Sequence, residues 1–291
     1  MELIKAILMG LLQGITEYMP VSSAGHMIII NNIFKSDNDM MLLFEIMLHM
    51  ASLVAVMVVF AKDIAGLFVA FFGILLDIIS NIGIFIIRLL GGKTKGYYIL
   101  NSSPYRKFLI NLTETAAVAC IVALGMKPVA MGCSHNMIVA GVGFILTAVM
   151  LLIADRLPAG FKKIKNLNGF DAVIIGAIQG FAVFPGVSRM GVALVMAMLL
   201  GVEKNFAIKY SVISSIPVII GAFIIELTEY TGSTISMDIL SDYLAAALLC
   251  CAVSVLSIKV VMGIMRNRRF RGFALYGLIA GIFSIVISFI R

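Results

Sequence analysis

The chain of 291 residues is 62% hydrophobic and only 13% charged, with a formal net charge of +7 and a mean hydropathy of +1.10. A soluble domain of this length has no use for that much apolar surface, whereas a protein that crosses a bilayer several times does. The composition excludes a soluble globular enzyme. It also removes nucleic acid as the reason for the positive charge, because excess Lys and Arg in a membrane protein marks its cytoplasmic loops.

Residues 3–16 form an apolar stretch too short to cross a hydrocarbon core of ~30 Å with ease. The start resembles a signal-peptide core, but Glu2 stands where positive charge is needed, so the segment is read as retained. Pro20 and the SSAG tract break the run, and a second short apolar arm follows at 27–34. Two short arms around a break predict a re-entrant hairpin, capped by the polar tract 35–39. Residues 41–61 predict a full crossing that ends at Lys62-Asp63.

The stretch 64–90 is apolar but carries Asp77, Ser80 and Asn81. Lys62 precedes it and Arg88, Lys93, Lys95, Arg106 and Lys107 follow, which puts both ends on the cytoplasmic side. An even number of crossings follows, most simply zero, with the segment lying along or dipping into the interface. Residues 108–125 then cross outward, 127–136 turn, and 137–154 return to the basic loop of Arg156, Lys162, Lys163 and Lys165. A second interrupted unit, 170–200, enters from the cytoplasmic side and goes back to it, as Lys204 and Lys209 indicate. Residues 207–227 cross outward with Pro217 as an expected kink, and the acidic stretch 229–242 lies outside. Residues 243–262 come in, Arg266, Arg268, Arg269 and Arg271 stay in, and 273–290 leave.

This layout predicts an all-α polytopic membrane protein of one domain: six transmembrane helices and two re-entrant helical hairpins. Both termini face outward, and Lys5, Lys35, Lys127 and Arg291 are external. The four cysteines (Cys120, Cys133, Cys250, Cys251) have no metal-ligand spacing and read as packing residues.

The two interrupted units repeat one another. QGITEYMPVSSAGH (13–26) and QGFAVFPGVSRMG (179–191) both open Gln-Gly, pass to a proline and continue Val-Ser-x-x-Gly. Gln13 and Gln179 lie 166 positions apart, so the halves, about 1–125 and 137–291, read as copies of one unit. Entry from opposite faces is what an inverted-topology repeat requires, with a site held between two broken helices.

Gln13 and Glu17 share a helix face just before the first break. Ser22, Ser23 and His26 follow the proline, with Gly25 between them, and Ser188 is placed to cap a helix that begins near Arg189. Two helix N-termini near the middle of the protein, joined by a guanidinium, make an anion site with phosphate as its natural guest. Ser23 or His26 is placed to attack phosphorus, Glu17 to accept a proton or hold a divalent ion, and Arg189 to stabilise equatorial oxygens. Charge at the helix centre costs roughly 2.5–3.5 kcal/mol, so Glu17 and Arg189 are expected to pair or to line a wet cavity. Glu45, His49 and Glu114 lie inside crossings without a motif and read as packing or cavity residues.

LLQGITEYMPVSSAGHMIII and IQGFAVFPGVSRMGVAL resemble the two signature regions of the undecaprenyl-diphosphate phosphatase family, the bacitracin-resistance membrane phosphatases. FEIMLHMASLVAVMVVF and YSVISSIPVIIGA are similar to further passages of that family, so the resemblance spans nearly the whole chain. It implies an integral membrane enzyme that removes the terminal phosphate of the C55 isoprenyl diphosphate carrier, with its site open to the outer face. It also implies a divalent cation, Mg2+ or Ca2+, with Glu17 as a ligand beside Gln13. Gln13 and Glu17 match the first motif; Ser22, Ser23, Gly25 and His26 match the second; Pro185, Gly186, Ser188, Arg189 and Gly191 match the third.

Ala24, Met190 and Ala193 replace hydroxyl residues of the family pattern. Three donors to phosphate are expected to be lost, each worth roughly 1.5–3 kcal/mol. The partners implied are the polyprenyl diphosphate, membrane lipids and, as one option, a second copy of the chain, but no nucleic acid. The competing classes are a lipid-phosphate flippase built on the same repeat, and a paralogue that binds the carrier without cleaving it.

Overall fold

The computed structural model describes residues 3–34, 38–134, 136–229, 237–267 and 270–290. The described residues are helical apart from connecting loops and one isolated bridge between Lys162 and Val202. That outcome follows from a chain whose apolar runs must satisfy their own backbone groups.

The first interrupted unit is α1 (Leu3–Thr16) and α2 (Ser23–Phe34). Next come α3 (Asn38–Val59), α4 (Ala61–Leu89), α5 (Pro104–Gly132) and α6 (Met137–Ala154). The second interrupted unit is α7 (Gly169–Gly180), a 3-10 turn at Phe181–Val183, and α8 (Arg189–Leu199). The chain finishes with α9 (Lys204–Ile213), α10 (Ser215–Glu229), α11 (Met237–Arg266) and α12 (Phe270–Ile290).

Local chemistry fixes the helix starts. The Ser103 hydroxyl accepts from the Arg106 N–H with Pro104 in the first turn of α5, and Asn136 caps α6. Asn168 and Asp171 form a reciprocal capping box at α7, and Ser188 accepts from the Gly191 N–H at 3.1 Å to start α8.

The principal core lies where α5, α6, α8, α9, α11 and α12 meet, around Phe108, Leu151, Leu194, Tyr210 and Phe270. Tyr210 is buried there with its polar end satisfied, donating to the Asn111 carbonyl at 3.1 Å and meeting the Thr115 hydroxyl at 2.6 Å. Large apolar side chains also stand exposed, among them Phe68, Val69, Leu76 and Ile79 on α4 and Ile279, Ile282 and Val286 on α12. In water such a surface would aggregate; against lipid it is the expected outside of the molecule.

The basic loops are tied to one another by charge. Lys209 pairs with Asp63 at 2.5 Å, Arg271 with Asp155 at 2.8 Å, and Lys162 with Asp171 at 2.8 Å. Lys107 donates to the Lys165 carbonyl at 2.6 Å. The segments assigned to one side by their charge thus touch one another. Lys35, Arg268, Arg269, Arg291 and residues 230–236 of the acidic stretch lie outside the described residues.

Among the described residues six helical segments are long and apolar enough to span a membrane: α4, α5, α6, α9–α10 together, α11 and α12. This set differs from the sequence expectation at two places. The stretch 64–90, expected to make no net crossing and to lie along or dip into the interface, falls in α4. That helix is long and apolar enough to span and runs unbroken to Leu89, because its polar residues have partners instead of breaking the backbone. Asp77 pairs with Arg106 of α5, and Asn81 exchanges hydrogen bonds with the Tyr98 backbone. By contrast, the described apolar part of α3, Leu43–Val59, falls below spanning length.

Two further boundaries move. The helix of residues 207–227 breaks at Ser214, three residues before Pro217, because the proline ring clashes with the carbonyl four positions earlier and supplies no N–H. α5 runs on through Lys127 and Pro128 to Gly132, so most of the turn expected at 127–136 is helix.

Candidate functional site

The two interrupted units are built alike. A Cβ on Gly10 or Gly14 would stand 2.5 Å from the Ala246 carbonyl oxygen or 2.8 Å from that of Cys250, so α1 lies directly on α11. In the second half Gly176 and Gly180 press on α5 in the same manner, 2.4 Å from the Thr115 carbonyl oxygen and 2.8 Å from that of Ala119. Glycine at these positions lets two backbones approach, as small residues do between membrane helices. Beyond each break a serine caps the next helix: Ser22 accepts from Gly25 N–H at 3.3 Å, as Ser188 does from Gly191.

The breaks also touch. A Cβ on Gly25 would stand 2.6 Å from Phe144 and 2.9 Å from the Gly186 Cα, while one on Gly186 would stand 1.9 Å from the Ala140 carbonyl oxygen. Gly186 has φ +84° and Ser22 φ +62°, the left-handed region, which glycine adopts freely and serine adopts only when its surroundings demand it. The capping bond to Gly25 and the His26 contact with the Ser22 carbonyl hold that serine in place.

Glu17 lies at the centre. Its Oε2 accepts from Ser23 Oγ at 2.6 Å and from Gln13 Nε2 at 3.0 Å. Its Oε1 stands 3.6 Å from Arg189 Nη2, and His49 Nε2 lies 3.7 Å from Oε2. Gln13, Glu17 and Ser23 are all buried, and Arg189 is half-buried. The carboxylate is therefore met by two hydrogen-bond donors and an Arg guanidinium, the compensation a buried charge requires.

Of the residues picked out by sequence, Gln13, Glu17, Ser23 and Arg189 come together. Ser22, Gly25, Gly186 and Ser188 frame them as caps and close contacts. His26 faces elsewhere: its Nδ1 lies 2.6 Å from the Ser22 carbonyl oxygen and its Nε2 2.6 Å from the Tyr276 hydroxyl, with the two rings stacked. A carbonyl only accepts, so Nδ1 carries the proton and Nε2 accepts from the tyrosine.

The substituted positions also fall apart. Met190 and Ala193 belong to the apolar core and Ala24 is exposed, so two of the three expected hydroxyl losses are packing substitutions.

Sequence reasoning gave His49 only a packing or cavity role and passed over Tyr276; the spatial neighbourhood of Glu17 and His26 singles them out. It also gave no role to Gln179, which is 2% exposed and has neither amide atom hydrogen-bonded to any described group. An amide left in that condition costs about 1–3 kcal/mol.

Two cavities adjoin the site. A small one of about 50 Å³ is lined by Ile46, His49, Arg189, Ile219, Phe223 and Glu226. A larger one of about 830 Å³ lies on the side of Tyr276, with neither Glu17 nor Arg189 in its wall. Its walls are Ile15, Met19, Val21, Ile264 and Phe273, with Thr16, next in sequence to Glu17, and the Asp155–Arg271 pair also lining it. As for a cation, no group of three His, Cys, Asp or Glu side chains among the described residues forms a ligand set. The donors present suit a hard ion held by one carboxylate and by substrate phosphates, the pattern magnesium favours, rather than a protein cage.

The chain matches the family described as "Bacitracin resistance protein BacA" over residues 6–283. It is 29% identical over 289 residues to the undecaprenyl-diphosphatase of Alkaliphilus metalliredigens, covering 99% of both chains. Its identity to the undecaprenyl-diphosphatase of Methanobrevibacter smithii is 30%, over 97% of this chain and 96% of that one. With that of Methanococcus maripaludis it shares 32% over 78% of this chain and 80% of the other.

Proposed function

The chain belongs to the bacitracin resistance protein BacA family, and from that premise we propose that it hydrolyses undecaprenyl diphosphate to undecaprenyl phosphate and inorganic phosphate, recycling the lipid carrier of cell-wall synthesis. Among the observations, the one that carries the reading is the 2.6 Å bond from Ser23 Oγ to a Glu17 carboxylate that Arg189 faces from the other side.

Glu17 takes the hydroxyl proton as Ser23 Oγ attacks the terminal phosphorus. The bond from that phosphorus to the bridging oxygen breaks, and its electron pair leaves with undecaprenyl phosphate, which takes the proton from Glu17. Water then attacks the phosphoserine, Glu17 accepts its proton, and inorganic phosphate departs as Ser23 is reprotonated. Arg189 and the free N–H groups in the first turns of α2 and α8 face the charge that spreads over the phosphoryl oxygens. Ser23 is favoured over His26 as nucleophile because both ring nitrogens of His26 are engaged. A divalent cation would be held by Glu17, with the Gln13 carbonyl beside it, and would neutralise diphosphate charge.

The apolar cavity beside Thr16 suits the isoprenoid tail next to the diphosphate. The proposed membrane arrangement is an inverted repeat of two re-entrant hairpins in the plasma membrane, with the basic loops inside and the site open to the outer face. Phosphate release from the C55 diphosphate by purified protein, with and without chelator, tests the activity and the cation together. A preparation that binds the lipid but releases no phosphate contradicts the phosphatase reading and supports the flippase or carrier-binding alternatives.

A further inference from the structure

Gln13 and Gln179 occupy the same place in the two halves, and of the two only Gln13 has a hydrogen-bond partner among the described residues. In the first half the donors Gln13 and Ser23 close on a carboxylate that stands between them in sequence, four residues after Gln13 and six before Ser23. The same register in the second half reads Gln179, Val183 and Arg189. The correspondence is structural as well. Gly14 and Gly180, each directly after its glutamine, seat the helix end on a neighbouring backbone at the same separation, 2.8 Å for a Cβ at either position.

The second half thus keeps both donors and lacks the acceptor. Val183 offers no oxygen, and neither Oε1 nor Nε2 of the buried Gln179 has a hydrogen-bond partner among the described residues. Arg189 carries five N–H donors, and its ion pair is with Glu17 of the other half. Arg189 and Gly180, the residue next to Gln179, border one contact between α5 and α10. Gly180 packs on Ala119 and Val122, a Cβ on Gly221 would stand 3.2 Å from Cys120 Sγ, and Arg189 shares the small cavity with Ala222.

We infer that the missing acceptor is a phosphoryl group of the substrate, bound by Gln179 Nε2 together with Arg189. That group takes in the second half the place Glu17 takes in the first. The inference rests on the phosphatase reading and gives it a binding residue outside the groups that surround Glu17. Arg189 then stands between the two anions, bringing the phosphate up to the carboxylate that activates Ser23.

The test is Gln179→Met, which keeps the length of the side chain and removes its donor, in purified full-length protein. A lost hydrogen bond to a charged group predicts a rise of roughly 10- to 100-fold in the KM for the lipid diphosphate. The change in kcat should be smaller, and the melting temperature equal or higher, since the variant buries no unpaired amide. A parallel rise in the inhibition constant of inorganic phosphate assigns the contact to the phosphate that leaves; a rise confined to the lipid assigns it to the one that stays. Unchanged constants in a folded Gln179→Met protein overturn the inference and leave the amide to a sealed water. Should that variant fail to fold, Gln179→Glu, of the same shape with a negative charge, is read in the same way. If the wild type releases no phosphate, the phosphatase reading fails separately, and equilibrium binding of the lipid diphosphate to wild type and variant still decides this contact.

Discussion

The two interrupted units share a scaffold and differ in charge. Each has a glutamine and a close-packing glycine before its break, and a serine cap with a second glycine after it. Where the first half places Glu17 and Ser23, the second places Val183 and Arg189. The two units thus differ in chemistry at these two positions: an acid and a hydroxyl on one side, a cation on the other. On the proposed reading, neither half alone holds an activated nucleophile next to a group that binds phosphate. The contact of Gly25 with Gly186 is what makes one site of them.

The largest effects should come from the first half. Ser23→Ala removes the attacking oxygen and Glu17→Gln the base; the latter should slow phosphate release by about 10²- to 10⁴-fold, with Ser23→Ala at least as severe. A Ser23→Ala protein that keeps wild-type turnover would hand the attack to another group. Next is Arg189→Lys, which keeps the charge and loses the planar fork; about 10²- to 10³-fold is expected, the scale of removing one stabilising donor.

Gly186→Ala attacks the junction itself. A methyl group 1.9 Å from the Ala140 carbonyl at φ +84° must displace the turn, and the conformational cost alone is about 1–3 kcal/mol. A lower melting temperature and a loss of activity should appear together.

The smallest effect belongs to Tyr276→Phe. It removes the hydrogen bond to His26 but keeps the stacked ring, so at most about tenfold in kcat/KM is expected. His26→Gln should cost more, because it also releases the Ser22 carbonyl and with it the strained cap. Equal, complete inactivation by Tyr276→Phe and His26→Gln would instead mark the histidine as a participant in the chemistry.

Much of this was readable in the chain. The proline and glycine interruptions, the repeat and the signs of the charges led to Glu17, Ser23 and Arg189, because those residues sit in long motifs. Helix limits followed where caps are local, as at Asn136 and α6. What sequence did not disclose depends on contacts between distant segments. Asp77 looks like a breaker until Arg106, from another helix, neutralises it. His49 looks like packing until α3 brings it 3.7 Å from Glu17. His26 belongs to the strongest motif, yet its Nε2 is taken by Tyr276, 250 positions away, and not by the carboxylate. The lost hydroxyls at Met190 and Ala193 looked like lost phosphate donors, because sequence register does not say which helix face meets the core.

The division between the halves is tested most directly by equilibrium binding of the C55 diphosphate to Glu17→Gln and Arg189→Lys proteins, beside their turnover. Binding is measured in chelator, so that no cation bridges Glu17 and the diphosphate. The account predicts that Glu17→Gln then binds the lipid at least as tightly as the wild type while hardly turning it over, and that Arg189→Lys binds it at least about tenfold more weakly. Tight binding by Arg189→Lys together with lost binding by Glu17→Gln would contradict it.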